Sequence, residues 1–295
     1  MKRFFLVSTL LLVALMMGAQ TKIAPTMKKG MKKVYVTECT ITSEFSQPIT
    51  VTEETVYEVI DETNDGYILD VYVTDTKTNA DENNPESRIL AFAAEMMKDV
   101  HTKYATDKDG KVLTVLDEEE VGNKIDGVLD KMLDKAPLPE STSKSEVKDE
   151  LKKHVSKQNL IESLQMSASP LALNGKTIST GMEEDYYNQN NFKGMKMKRV
   201  YTVKGNKISS SANINMNTKD ISNLISGVVD AISPGEVDDD ALSGLNSLFD
   251  KANLQCSEEN TYTLGKDGWM KDVNTEMKAG IMGMSLSMKY KVTLK

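Results

Sequence analysis

The chain has 295 residues, with 36 Lys and Arg against 44 Asp and Glu, a net charge of −8. An acidic balance repels phosphate backbones and anionic membrane surfaces, so it argues against nucleic acid as a partner and for a well-solvated surface. Two cysteines exclude a disulfide-dependent miniature fold, and two histidines leave few possible metal-ligand sets.

Met1-Lys2-Arg3 precedes an apolar run from Phe4 to Met17, then Gly18 and Ala19. A basic start, a short apolar core and a small-residue end predict a secretory signal peptide over residues 1–19. The apolar run is shorter than the roughly 20 residues that a spanning helix needs. No cysteine follows it until Cys39, so no lipid attachment is expected. The expected mature chain begins near Gln20, is exported to the periplasm or the extracellular space, and has no integral membrane segment. Removing Lys2 and Arg3 leaves 34 basic against 44 acidic residues, a net charge of −10.

Residues 31–45 and 49–61 are rich in Val, Thr, Tyr and Ile and predict strands. Asn64-Asp65-Gly66 is a tight-turn signal, and Tyr67, Leu69, Val71 and Val73 alternate beyond it, which predicts a hairpin. Asn83-Asn84-Pro85 opens a predicted helix carrying Ile89, Ala93, Met96, Met97, Val100 and Tyr104 at helical spacing. Asp109-Gly110 turns into a short strand over 111–116. Asp117 and three glutamates then open another helix with Val121, Ile125, Val128, Leu129, Met132 and Leu133 on its apolar side. Residues 137–145 read as a linker, and a lysine-rich helical stretch follows, with Val147, Leu151, Val155, Leu160, Ile161 and Leu164 inward.

Ser169-Pro170 is the expected internal boundary, dividing a first strand-plus-helix half, 20–169, from a second, 170–295, within one continuous sheet domain. Lys193-Gly194-Met195-Lys196 echoes Lys29-Gly30-Met31-Lys32, which suggests a weak internal duplication. Lys204-Gly205-Asn206 is a turn. Two helices are predicted around Ile221–Ile232 and Leu242–Ala252, and three strands close the chain, turned at Asp267-Gly268 and near Ala279-Gly280. The last strand alternates most clearly, with Met282, Met284, Leu286, Met288, Tyr290, Val292 and Leu294 on one face.

This order predicts an α+β fold: one long curved antiparallel sheet or half-open barrel, with helices packed on its apolar face. The export signal, the Lys-Gly-Met-Lys strand starts, the segment Asp-Gly-Lys-Val-Leu-Thr-Val at 109–115 and the Asp-Gly-Trp turn at 267–269 resemble an uncharacterised family of secreted β-rich bacterial proteins, a domain of unknown function. The order of elements is also similar, at the level of fold, to periplasmic carriers of lipoproteins and lipids. Neither resemblance implies catalytic residues.

The chemistry-bearing patterns are sparse. His101 and His154 fall on separate predicted helices, with no second histidine at ligand spacing. Ser141-x-x-Lys144 and Ser145-x-x-Lys148 lack the companion motifs of penicillin-recognising enzymes. Asp107-Lys108-Asp109-Gly110 fails the calcium-loop template, because Ala105 and Leu116 would fall at its first and twelfth positions. Glycine-rich phosphate loops and a nucleophile elbow are absent. No enzyme activity, metal or cofactor is expected. Cys39 and Cys256 form a possible disulfide.

Methionine is unusually common, at 18 residues against 6 Phe and a single Trp. Its flexible thioether suits an adaptable apolar lining as well as a filled core. The expected function is an exported, non-enzymatic binding or carrier protein for an apolar, lipid-like ligand in the cell envelope. The candidate pocket lining is Met282, Met284, Leu286, Met288 and Tyr290. The alternative is an exported structural or protein-interaction module, with a filled core and an acidic surface that meets an envelope protein.

Overall fold

A computed structural model describes residues 20–44, 46–79, 98–135, 143–145, 148, 157–187, 196–215, 255–281 and 284–295. The elements are β1 (Thr21–Lys22), β2 (Lys32–Ser43), β3 (Ser46–Glu62), β4 (Gly66–Thr78), β5 (Thr102–Asp107), β6 (Val112–Val115), α1 (Glu118–Lys135), α2 (Lys157–Gln165), β7 (Thr177–Ile178), β8 (Glu183–Tyr187), β9 (Lys196–Lys204), β10 (Lys207–Asn215), β11 (Gln255–Leu264), β12 (Met270–Ile281) and β13 (Met284–Leu294). The predicted helices over 221–252 and the body of the one opened at Asn83 lie outside the described residues.

Among the described residues, eleven strands form one antiparallel sheet in the order β6-β5-β4-β3-β2-β13-β12-β11-β10-β9-β8. Its edge strands β6 and β8 do not pair, so the sheet is not closed into a barrel. The last strand, β13, lies between β12 and β2, so strands from both ends of the chain share the middle of the sheet. No helix among the described residues is long and apolar enough to cross a membrane.

Alternation along each strand gives the sheet a core face and a polar face. Tyr35, Tyr57, Val59, Leu69, Tyr104, Tyr201, Ile208, Tyr262, Val273 and Val292 are buried on the core face. They pack against residues 164–178 and an N-terminal strap: Leu164, Leu171, Leu173, Ile178, Ile23 and Met27 belong to the same cluster. The expected boundary at Ser169-Pro170 therefore falls in a buried plug, with Ser169, Leu171, Ala172, Leu173 and Asn174 all inside.

The strap is held by backbone bonds: Ile23 N–H donates to Lys176 C=O, Gly175 N–H to Ile23 C=O, and Thr26 N–H to Asp267 C=O. Trp269, the single tryptophan, is buried beneath it and donates its indole N–H to the Thr26 carbonyl at 2.9 Å. The strap passes so close to the β11–β12 turn that a Cβ on Gly268, whose φ is +81°, would lie 2.8 Å from the Ala24 carbonyl oxygen. Only glycine meets both demands at that position.

Helix α1 starts as predicted: Asp117 precedes three glutamates in its first turn, and Val121, Ile125, Leu129 and Leu133 bury one stripe. Helix α2 contributes Leu164 to the core, with Leu160 and Ile161 packed against it. The helix predicted through Val100 and Tyr104 does not extend that far. Asp99 takes a positive φ of 59°, and β5 begins at Thr102 with Thr102, Tyr104 and Thr106 buried in strict alternation. β-Branched and aromatic residues at period two, facing Leu69 and Val71 on β4, outweigh the helical spacing there. The turn expected near Ala279-Gly280 also moves, because β12 continues through both residues to Ile281.

Candidate ligand-binding face

Above the plug, the core face carries a transverse apolar row. Strand register places Met277 on β12 opposite Met288 on β13, Met288 opposite Ile41 on β2, and Ile41 opposite Ile49 on β3. All four are half-buried, whereas the next rows down become progressively closed. The row beneath runs Thr275, Tyr290, Cys39 and Val51 across the same strands. Directly opposed side chains on one sheet face sit about 5 Å apart, so four neighbours make a continuous apolar strip.

At its β11 side the strip meets a buried polar network. Arg199 on β9 reaches over Ala212 on β10 to Glu258 on β11, with Nη2 donating to Oε1 at 2.7 Å. Ser167 from the plug accepts from the same Nη2 at 2.6 Å and donates to Glu258 Oε1 at 2.7 Å. Asn260 Nδ2 donates to Glu258 Oε1 at 2.6 Å and to Ser210 Oγ at 3.0 Å. Beyond Arg199, Glu184 accepts from Tyr201 at 2.6 Å and from Lys176 at 2.7 Å. Burial works against the Glu184 charge, but these two donors outweigh it and hold the carboxyl below its ordinary range.

At the β3 side stands Glu53, opposite Thr37 on β2 and one inward position along from Val51. Burial alone pushes its carboxyl above the ordinary range. Burial also raises the Cys39 thiol and the Tyr290 phenol, which share a hydrogen bond, and the charge of Glu53 adds to both rises. Thiol, phenol and carboxyl thus crowd one half-buried patch.

Of the predicted lining, Met282 lies outside the described residues, Met284 opens β13, and Met288 and Tyr290 join the half-buried patch. Leu286, also in the predicted lining, is 43% exposed. The alternation holds, and at the other end of the strand Val292 belongs to the buried cluster that includes the plug. The possible disulfide is not formed: Cys39 and Cys256 are both free. Strands β12 and β13 lie between them, about 14 Å of sheet, against a limit of about 7 Å between bridged Cα atoms.

His101 is on no helix. It precedes β5, bonds Asp70 Oδ2 through Nδ1 at 2.7 Å and stacks on Tyr72 with ring centroids 4.0 Å apart. His154 and Ser141 lie outside the described residues. Asp107 makes a turn rather than a cation loop, its carboxylate accepting from the N–H groups of Asp109 and Lys111 at 2.9 Å each.

The opposite face is polar. A shallow groove of about 440 Å³ crosses β2, β13, β12 and β11 there, among Glu38, Glu259, Glu276, Lys289 and Lys291. Sequence reading missed the Arg199–Glu258 network and Glu53. The signal was present as charged residues in otherwise inward positions, Arg199 before Tyr201 and Val203, and Glu258 before Asn260 and Tyr262.

No family model and no curated protein matches the chain. Among the solved structures it is similar to is "Lipid-protein interactions in lipovitellin", at a TM-score of 0.40 and 8% identity, covering 92% of this chain. The chain spans about a quarter of that protein's length, 25%.

Proposed function

We propose that the protein is an exported, non-enzymatic carrier that holds an apolar, lipid-like ligand against the core face of its sheet. The observation that carries this reading is the Met277–Met288–Ile41–Ile49 row: four apolar side chains in register across four strands, left half-buried beside a closed core. Apolar surface held at a sheet face in this way gains about 25 cal/mol for each Å² that a ligand covers. Two of the four are methionines, which repack around chains of different shape.

The test is binding of an apolar fluorescent probe by the purified protein and by Met288→Glu. The carrier reading expects saturable binding by the parent, displaced by a neutral lipid and weakened at least tenfold by a charge placed in the strip. A folded parent that binds neither probe nor lipid overturns it. A second reading, a protein-interaction module, is favoured by the groove of mixed charge on the polar face. It expects binding of an envelope protein to be sensitive to Lys289→Glu and Lys291→Glu and indifferent to Met288→Glu.

A further inference from the structure

We infer that the ligand is an amphiphile with a cationic head group, an alkylammonium rather than a fatty acid, and that Glu53 receives the cation. This rests on the carrier reading and adds the polarity of the ligand.

Among the described residues, the charged groups that flank the core cluster are matched. Arg199 pairs with Glu258, Glu184 with Lys176 and Tyr201, and Lys33 with Asp267 at 2.7 Å. Glu53 has no hydrogen-bond donor and no counter-ion among the described residues. It nevertheless stands on the core face, between the half-buried row and the packed Tyr57 and Val59. A carboxylate withdrawn from water without a partner is disfavoured in its charged form. The same burial raises the range over which the carboxyl holds its proton. A ligand that brings an ammonium group removes the cost. One that brings a carboxylate or phosphate adds repulsion to it.

The spacing fits a single molecule. Ile49, Val51 and Glu53 are successive inward positions on β3, and about 3.3 Å per residue puts Ile49 and Glu53 about 13 Å apart. An extended alkyl chain of about ten carbons covers that distance. Its tail would lie over Ile49, Ile41 and Met288, and its head beside Glu53.

Three probes with one decyl chain test this at neutral pH: decylamine, 1-decanol and decanoate, titrated against the parent and Glu53→Gln, with folding of each verified by circular dichroism. The parent is expected to bind decylamine about tenfold or more tighter than decanoate. Glu53→Gln is expected to bring the two within about twofold of each other, with decanol affinity changing much less than decylamine affinity. Equal affinity for the three probes in the parent, or a preference for decylamine that survives in Glu53→Gln, overturns the inference while leaving the carrier reading intact. Failure of the parent to bind any of the three overturns both.

Discussion

Arg199 and Glu258 meet across an intervening strand, with side chains only 3% and 5% exposed, and the small Ala212 between them leaves the passage open. Two charges taken out of water depend on each other, and removing one leaves the other uncompensated. Glu258→Ala is expected to lower unfolding stability by about 3–5 kcal/mol in urea titration. Replacing both partners with methionine is expected to cost less than that single change. A Glu258→Ala variant as stable as the parent would show that the network is not a structural anchor.

The strap makes a second expectation. Gly268→Ala places a Cβ in a left-handed backbone and against the Ala24 carbonyl, and should destabilise by more than about 1 kcal/mol. Because Trp269 is the single tryptophan and lies under the strap, its fluorescence follows the transition directly. Parent emission should be blue-shifted and red-shift on unfolding, at lower urea in the variant. An unchanged midpoint would contradict the strap's packing.

Much of the sheet was legible in the sequence because strand signals are local. Asn64-Asp65-Gly66, Gly205-Asn206 and Asp267-Gly268 marked their hairpins, and the alternation of β13 marked its faces. The Tyr104 segment was misread because six residues suit either period, and pairing with β4 decides between them. The site was hardly legible. The row Met277, Met288, Ile41 and Ile49 draws on strands more than 200 residues apart in sequence, and nothing local announces that β13 inserts beside β2. Ser169-Pro170 looked like a boundary since proline and serine punctuate chains, yet the following Leu171-Ala172-Leu173 carries the plug into the core.

The cysteines give a third expectation. Both should titrate as free thiols, two per chain, when the protein is unfolded without reductant. In the folded protein, maleimide should react slowly at neutral pH and faster as pH rises, because burial keeps both thiols protonated. Fewer than two thiols would show that they had paired.

Glu53 sets a pH dependence. Its folded pKa is raised above the unfolded value of about 4.3, so the folded state binds the proton more tightly. Stability should therefore fall as pH rises from that unfolded value through the folded one. Glu53→Gln lacks this loss, so in the absence of ligand it should be more stable than the parent at neutral pH, with the advantage shrinking toward pH 4. A variant less stable than the parent at neutral pH would mean that the carboxylate has a stabilising partner.

Methionine truncation separates wall from core within one protein. Met270 is fully buried, whereas Met288 is half-buried in the strip. Met270→Ala should cost about 2–5 kcal/mol, and Met288→Ala about 1 kcal/mol or less in the ligand-free protein. Equal large losses would place Met288 in a filled core.

The most direct measurement is the lipid content of the protein itself. Detergent-free protein purified from its native cells, denatured and extracted, should release an amphiphile in near-stoichiometric amount by mass spectrometry, and Met288→Glu prepared in parallel should release little. Parent protein that carries no more lipid than Met288→Glu, and that takes up none when lipid is supplied, would contradict the carrier account.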